Sequence, residues 1–372
     1  MHKEVVIVGA GAAGVGMAAT LTDYGVEDLL LIDRHEVGSS FMRWPAEMRL
    51  ITPSFNSTLF GSLDLNAIAL NTSVANLLEE EHPTGRQYAR YLKAVVDAKQ
   101  IEVELGKEIT SVEVDTDGHY LLQMADEQIT CRFLIWAAGE FQFPNLHPFT
   151  GSEHCVHNSQ ITSYRELNGD AFIVIGAFES GIDALYHLAQ SGKKVTCLCA
   201  DEGLSLADQD PSRSLSPYTR QRFQTLQTAE KNIEVHYGCR VTGVEMDSNK
   251  YVVRTQSGKT FTSSTAPILG IGFRDGTGVV EHLFEHHPAG YMALSDQDES
   301  TLSRGLFLTG PMIRHEHHIF CYIYKFRQRF ALIAEAILTY QGRTIPISVS
   351  QTYAQNQMRL SDLSTCDLAP IF

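Results

Sequence analysis

The residues most able to do chemistry open the chain. Gly9-Ala10-Gly11-Ala12-Ala13-Gly14 follows directly on Val5-Val6-Ile7-Val8, and Asp33 closes a second apolar run, Leu29-Leu30-Leu31-Ile32. Glycines at this spacing suit a bound dinucleotide. Gly9 allows the tight turn, Gly11 lets the backbone approach a pyrophosphate, and Gly14 lets the next helix pack on the sheet. The helix start offers unpaired N–H groups and a positive dipole end to phosphate. Asp33 can accept ribose hydroxyls. The bland alternative is a glycine turn without a ligand, but strand, turn, helix, strand and acid all occur in order.

A second, altered copy is Gly176-Ala177-Phe178-Glu179-Ser180-Gly181, with Phe178 at the middle glycine position. A bulky side chain there hinders close approach of a pyrophosphate. Two readings result: a dinucleotide bound with displaced phosphates, or a scaffold that has lost its ligand. Gly176, Ser180 and Gly181 favour the first. Asp201 would accept ribose hydroxyls and repel a 2′-phosphate. Arg213, Arg220 and Arg222 could instead hold that phosphate, or simply form a solvated helix face.

The elements that position these groups repeat as well. Ala171–Ile175 reads as a strand, Ile182–Gln190 as a helix and Lys194–Cys199 as the next strand. Each copy then holds a β-rich stretch (101–130 and 233–262) and closes on a strand running into a glycine turn, at Phe133–Gly139 and Pro267–Gly272. The fold class expected is α/β, with two Rossmann-like units, the second inserted in the first. The first unit is placed at 1–141 and 304–372, a linker at 142–164, the second unit at 165–275 and a return connection at 276–303.

Composition sets the bounds. The length of 372 residues favours two domains. A formal charge of −15 argues against nucleic acid or an anionic membrane as partner. The run after Met1-His2-Lys3-Glu4 is too short to span a bilayer and leaves no room for a signal peptide. Seven cysteines at irregular spacing form no disulfide framework. A cytoplasmic protein with reduced thiols and a small-molecule substrate is expected.

These features resemble the two-dinucleotide-binding-domain flavoproteins, which include flavin-containing monooxygenases, glutathione and thioredoxin reductases, and bacillithiol disulfide reductases. Val37–Phe41, Trp44-Pro45, Leu50–Phe55 and Tyr88–Leu92 resemble the flavin-facing segments of the monooxygenase-like branch. Phe149-Thr150-Gly151 followed by His157 resembles its linker fingerprint, with the His two positions late and Cys155 in its usual slot. Leu306–Gly310 resembles the last FAD strand, although Pro311 stands where an Asp usually follows. Tyr322–Arg327 is a run shared with small bacterial flavin-monooxygenase-like proteins. The resemblance implies FAD in the first unit, at Gly9, Gly11, Ala13, Gly14, Asp33, Arg34, Phe41, Ala138, Gly139 and Gly310. It implies NAD(P)H in the second, at Gly176, Glu179, Ser180 and Gly181.

Which reaction follows depends on the remaining polar groups. No closely spaced cysteine pair of the disulfide-reductase kind occurs, Cys197 and Cys199 read as core, and the first glycine turn holds Ala12 and Ala13 rather than a thiol. Monooxygenases usually carry an Asn about where Thr52 falls, so Thr52 is a candidate catalytic residue. Cys321 is the other. The apolar spacing of Ile319, Ile323, Phe326, Phe330, Ile333 and Ile337 predicts one helix from Ile319 to Tyr340, with Cys321 off its buried face and near its N-terminus. A thiol there would be reactive; the alternative is a packing residue. Tyr322, Lys325 and Arg329 would share the other side, toward a substrate pocket or a homodimer contact. His315, His317 and His318 lack a metal-ligand pattern, and no metal is expected. Three functions stay open: a monooxygenase of a small N- or S-nucleophile, a reductase of a disulfide or quinone, and a flavoprotein without turnover that serves as redox sensor or accessory protein.

Overall fold

The computed structural model describes residues 1–57, 61–204, 208, 210–229 and 232–367. By contact the chain forms two compact units. Unit 1 comprises Met1–Met42, Pro53–Gln142 and Asp275–Phe372; unit 2 comprises Arg43–Thr52 and Phe143–Arg274.

Unit 1 opens with β1 (His2–Val8), α1 (Ala12–Asp23) and β2 (Leu29–Asp33). Two short helices, α2 (Ser39–Met42) and α3 (Val74–Leu78), precede α4 (Gly85–Lys99). Four strands follow: β3 (Val103–Leu105), β4 (Ser111–Val114), β5 (Tyr120–Gln123) and β6 (Gln128–Trp136). β3, β2, β1 and β6 lie side by side in parallel, and β5 and β4 extend the sheet antiparallel. Val5, Val6 and Ile7 are fully buried, which is why β1 is an unbroken apolar run rather than an alternating one. α4 starts at a reciprocal Thr84–Gln87 capping box and stops where Gln100 turns left-handed.

Unit 2 repeats the plan. Its elements are β7 (Val156–His157), β8 (Ala171–Ile175), α5 (Glu179–Gln190), β9 (Lys194–Leu198), α6 (Pro217–Thr228) and β10 (Ile233–His236). Then come the antiparallel meander β11 (Val241–Asp247), β12 (Lys250–Thr255) and β13 (Thr260–Ser263), and the short β14 (Ile268–Leu269). The parallel order is β10-β9-β8-β14-β7. Strand for strand, β10-β9-β8-β14 matches β3-β2-β1-β6.

The chain returns to unit 1 through a hairpin of β15 (Glu285–His286) and β16 (Met292–Ala293), and β17 (Leu306–Leu308) joins β6 in parallel. A second hairpin pairs β18 (Arg314–His315) with β19 (His318–Ile319). Helices α7 (Ile323–Phe326), α8 (Phe330–Tyr340) and α9 (Ile347–Gln355) follow. Among the described residues no helix is long and apolar enough to cross a membrane.

Three boundaries differ from the sequence-based expectation. From Phe143 onward the stretch read as a linker packs within unit 2, because Val156 and His157 pair with β14 and Thr150 bridges Gly243. Residues 43–52 also belong to unit 2: the buried Glu47 carboxylate accepts hydrogen bonds from Ser163 Oγ (2.6 Å) and the Tyr164 N–H (3.1 Å). The helix expected from Ile319 starts at Ile323. Glu316 is left-handed (φ +52°), so the chain turns back and Ile319 pairs with Arg314. The apolar face survives from Phe326 onward, with Phe330, Ile333 and Ile337 fully buried.

Candidate functional site

The first glycine turn needs glycine at two positions for different reasons. Gly9 has φ +111°, and a Cβ there would come 2.4 Å from the Ala137 carbonyl oxygen. A Cβ on Gly14 would lie 1.8 Å from the Gly9 carbonyl oxygen, so α1 packs directly on the turn. Gly11 differs. It is the N-cap of α1, and a Cβ there would meet nothing within 4 Å. Space lies open in front of the helix N-terminus, whose opening N–H groups suit phosphate oxygens.

The surroundings complete this cradle. Asp33 accepts the Ala10 N–H on Oδ2 and the His35 N–H on Oδ1, both at 2.8 Å. It therefore braces the turn, and its remaining lone pairs can accept further donors. Ala13 is buried, and Gly310 (φ +107°) packs against it; a Cβ on Gly310 would lie 3.1 Å from Ala13 Cβ. Arg34 pairs with Glu108 at 3.1 Å, and the Phe41 ring meets Tyr88 edge-on. After Ala138, Gly139 turns at φ +68°, and the return stretch crosses it so closely that a Cβ on Gly276 would lie 1.7 Å from the Gly139 carbonyl oxygen. Trp136 Nε1 donates to the Gly276 carbonyl oxygen at 2.7 Å. The Thr309 hydroxyl, beside Gly310, is buried with no partner among the described residues. The open space at Gly11 and this orphaned hydroxyl fit a bound dinucleotide. Pro311 contributes no side-chain oxygen.

The second turn has the same backbone. Gly176 has φ +106°, and Cβ atoms on Gly176 and Gly181 would lie 2.4 Å from the Gly270 and 2.0 Å from the Gly176 carbonyl oxygens. Phe178 is the N-cap of α5 with extended backbone, as Gly11 is for α1. The two cradles thus differ chiefly in a side chain: that of Phe178 is 40% exposed. Ser180 is half-buried at the start of α5.

Glu179, expected to contact NAD(P)H, points elsewhere. Its carboxylate accepts from the Ser216 N–H (2.5 Å), Ser216 Oγ (3.2 Å) and Thr219 Oγ1 (2.5 Å), fastening the N-terminus of α6. Burial raises its pKa against the pull of these donors. Arg222 is neither solvated nor available for a phosphate. It is buried, 2.6 Å from Asp183, with its guanidinium over the rings of Tyr218 and Tyr186. Burial opposes the Asp183 charge, but His187 and Arg222 outweigh it and hold the carboxyl below its usual range. Arg213 and Asp201 are exposed and Arg220 is half-buried.

The catalytic candidates are half-buried, Thr52 in a bend of unit 2 and Cys321 in unit 1 just before Tyr322, the N-cap of α7. Cys321 therefore precedes the helix instead of lying on its side. Arg329, expected on an outer face, is fully buried against Asp298. None of the seven cysteines forms a disulfide. Burial pushes the thiols of Cys155 and Cys197 up to about 12, and those of Cys131 and Cys199 upward too.

His157 of the linker fingerprint gains a physical role. His157 Nε2 reaches the Gly272 carbonyl oxygen (3.0 Å) while Nδ1 accepts the Ser159 N–H, and burial lowers its pKa. Asn158, next to it, buries its amide with no partner at either end among the described residues.

Comparison with known proteins agrees with this architecture. The family model of pyridine nucleotide-disulphide oxidoreductases matches residues 6–310. An uncharacterised oxidoreductase, CzcO of Bacillus velezensis, is 26% identical over 201 residues, 52% of this chain and 54% of the relative; the chain thus spans about half the length of that relative. The bacillithiol disulfide reductase Bdr (YpdA) of Staphylococcus aureus superposes with a TM-score of 0.74 at 20% identity, covering 92% of this chain and 99% of that one. A flavin-containing monooxygenase of Stenotrophomonas maltophilia gives 0.70 at 15% identity, covering 91% and 99%. FAD and NAD(P)H are the cofactors of this group. Matched from Val6 to Gly310, the chain belongs to the pyridine nucleotide-disulphide oxidoreductase family.

Proposed function

We propose that this protein is an FAD-dependent oxidoreductase that takes electrons from NAD(P)H and oxygenates a small nitrogen or sulfur nucleophile. The observation that carries the choice is the placement of thiols. The first glycine turn offers Ala12 and Ala13, and burial holds the thiols of Cys131, Cys155, Cys197 and Cys199 in their protonated form. A relay to a disulfide needs an accessible thiolate.

FAD would be held by unit 1. The α1 N-terminus and Gly11 would receive the pyrophosphate, Asp33 the ribose, and Gly139 and Gly310 would line the turns beside it. When bound, the flavin supplies two-electron transfer between nicotinamide and acceptor. Unit 2 would take NAD(P)H at Gly176, Ser180 and Gly181, with the phosphates displaced by Phe178. Glu179 acts indirectly, by fastening α6 to the glycine-turn helix. Thr52, with one hydroxyl donor, would orient the substrate or oxygen.

A second reading, reduction of a disulfide or quinone, rests on Cys321, which is half-buried beside the N-cap of α7. One experiment separates these. Purified protein is mixed anaerobically with NADH or NADPH and then with air while the flavin spectrum is followed. Bleaching, followed by oxygen uptake that speeds with an amine or thioether, supports oxygenation. Bleaching reversed only by a disulfide or quinone supports the second reading. Flavin that neither nicotinamide bleaches sinks both and leaves a flavoprotein without turnover.

A further inference from the structure

Just past β7, the last strand in the unit 2 order, Asn158 buries an amide without a partner. The residue is 1% exposed, and neither Oδ1 nor Nδ2 has a hydrogen-bond partner among the described residues. An unpaired buried amide is costly, and such side chains are normally satisfied. Asn158 therefore presents a donor group and an acceptor side by side, shielded from water.

Sheet register places this amide. β7 runs parallel to β14, with His157 level with Leu269, and β14 runs parallel to β8, with Leu269 level with Ile175. The next residues, Asn158, Gly270 and Gly176, are level in turn, and the Gly270 N–H donates to the Ile175 carbonyl oxygen (2.8 Å). Neighbouring strands lie about 4.8 Å apart, so Asn158 is about 10 Å from Gly176, across the C-terminal ends of the strands. Alternation sets the face. Val156, Ile268 and Val174 share the cluster that packs against α5, whereas Leu269 and Ile175 belong to the cluster on the opposite face. Asn158 and Gly270 return to the α5 side. Gly270 puts no side chain between Asn158 and the helix; a Cβ on it would lie 2.7 Å from Gly181 Cα, in the first turn of α5.

A dinucleotide crosses such a sheet where the strand order reverses, with its adenosine ribose at the end of the strand that follows the glycine-turn helix. In unit 2 the reversal lies between β8 and β14, with β9 and β10 on one side and β14 and β7 on the other. The adenosine half of NAD(P)H therefore falls on the β9 side and the nicotinamide half on the β14–β7 side, where Asn158 sits. The nicotinamide carboxamide is the complement of an asparagine amide: each offers a carbonyl oxygen to the other's NH2, so the two join head to tail by two hydrogen bonds. Adenine also pairs with an asparagine amide, but it lies over the opposite half of the sheet.

We infer that Asn158 is a specificity residue for the nicotinamide ring, its amide pairing with the carboxamide of NAD(P)H. The inference rests on the proposed function, which puts NAD(P)H in unit 2, and deepens it by naming the side chain that reads the reactive end of the cofactor.

Isothermal titration calorimetry on the FAD-loaded protein tests the pairing, with NAD+ and NADP+ set against ADP-ribose and its 2′-phosphate, which lack the nicotinamide. Asn158→Leu should weaken the dinucleotides about 10-fold, through the loss of two hydrogen bonds, and leave the nicotinamide-free compounds within about twofold. Leucine fills a similar volume and removes an unpaired polar group, so the variant without nicotinamide cofactor should melt no lower than wild type. An amide that serves only the fold would give the opposite pattern, a lower melting temperature and an unchanged affinity ratio. Wild type should also bind the 3-acetylpyridine analogue, whose methyl ketone lacks the NH2, about 10-fold more weakly than the parent dinucleotide. Equal losses for the dinucleotides and the nicotinamide-free compounds, no loss for either, or an acetylpyridine form bound as tightly as its parent overturns the assignment. The last comparison needs no variant and decides even if Asn158→Leu fails to fold. Wild type that binds neither the dinucleotides nor ADP-ribose refutes the functional reading first, and this inference with it.

Discussion

Replacing Gly14 with alanine puts a methyl carbon 1.8 Å from the Gly9 carbonyl oxygen, where such contacts essentially never fall under 3.0 Å. The atom in the way is backbone, in a turn fixed by the Gly9 N–H to Ile32 carbonyl bond (2.7 Å). Helix α1 must therefore lift from the sheet by roughly 1 Å, and ten of its residues are buried. A cost of about 3 kcal/mol, the upper end of ordinary overpacking, is expected. In a chain of this size that lowers the melting temperature by roughly 4 °C. Gly11→Ala is the matched control. Its Cβ meets nothing within 4 Å and its φ of −82° suits any residue, so stability should change by less than about 0.5 kcal/mol, whereas FAD affinity should drop because the methyl enters the pyrophosphate's space. Thermal unfolding of apo protein and fluorimetric FAD titration read the two effects separately. A Gly14→Ala protein that melts with wild type would refute the packing argument. A Gly11→Ala protein with unchanged FAD affinity would refute the placement of the pyrophosphate.

Phe178→Gly should lower the apparent KM for the nicotinamide cofactor in steady-state assays; an unchanged or higher value would mean that the ring belongs to the site. Cys321→Ser should leave NAD(P)H oxidation and oxygen uptake within about twofold, and iodoacetamide inactivation that this change prevents would favour the thiol-using reading. Arg222→Met leaves Asp183 buried without its cation and should destabilise the protein by about 3–5 kcal/mol in denaturant titrations. The folded pKa of His157 lies below its unfolded value of about 6.5. Between the two the unfolded chain binds more protons, so stability should fall as pH drops from about 6.5 toward the folded pKa. His157→Gln should flatten that part of the stability–pH curve, and an unchanged slope would exclude His157 as its source.

The glycine positions were legible because backbone geometry forbids other residues there. Gly9 and Gly176 need positive φ, and Gly14 and Gly181 need contact with a carbonyl oxygen, so the duplication stands out even where Phe178 breaks it. Side-chain partners across helices were not legible. Nothing local in Glu179 says that it serves Ser216 and Thr219, and Arg222 reads as a surface cation until Asp183 and two tyrosine rings are placed around it. The helix start was misjudged for a related reason. Apolar periodicity continues through Ile319, but the left-handed Glu316 commits that residue to a hairpin. The stretch from Phe143 read as a linker lies within unit 2, since turn-forming residues also occur inside packed units.

The chain has only two tryptophans, and the unit boundaries assign one to each half: Trp136 to unit 1, with its indole bonded to Gly276, and Trp44 to the 43–52 segment of unit 2. Each duplicated half therefore carries its own fluorophore. Trp136→Phe leaves emission from unit 2 alone, and Trp44→Phe leaves emission from unit 1 alone. Denaturant titrations of the two single-tryptophan proteins would give one curve per half. Coincident midpoints would mean that the halves melt as one cooperative body, and separated midpoints would mean that each inherited the ability to fold by itself.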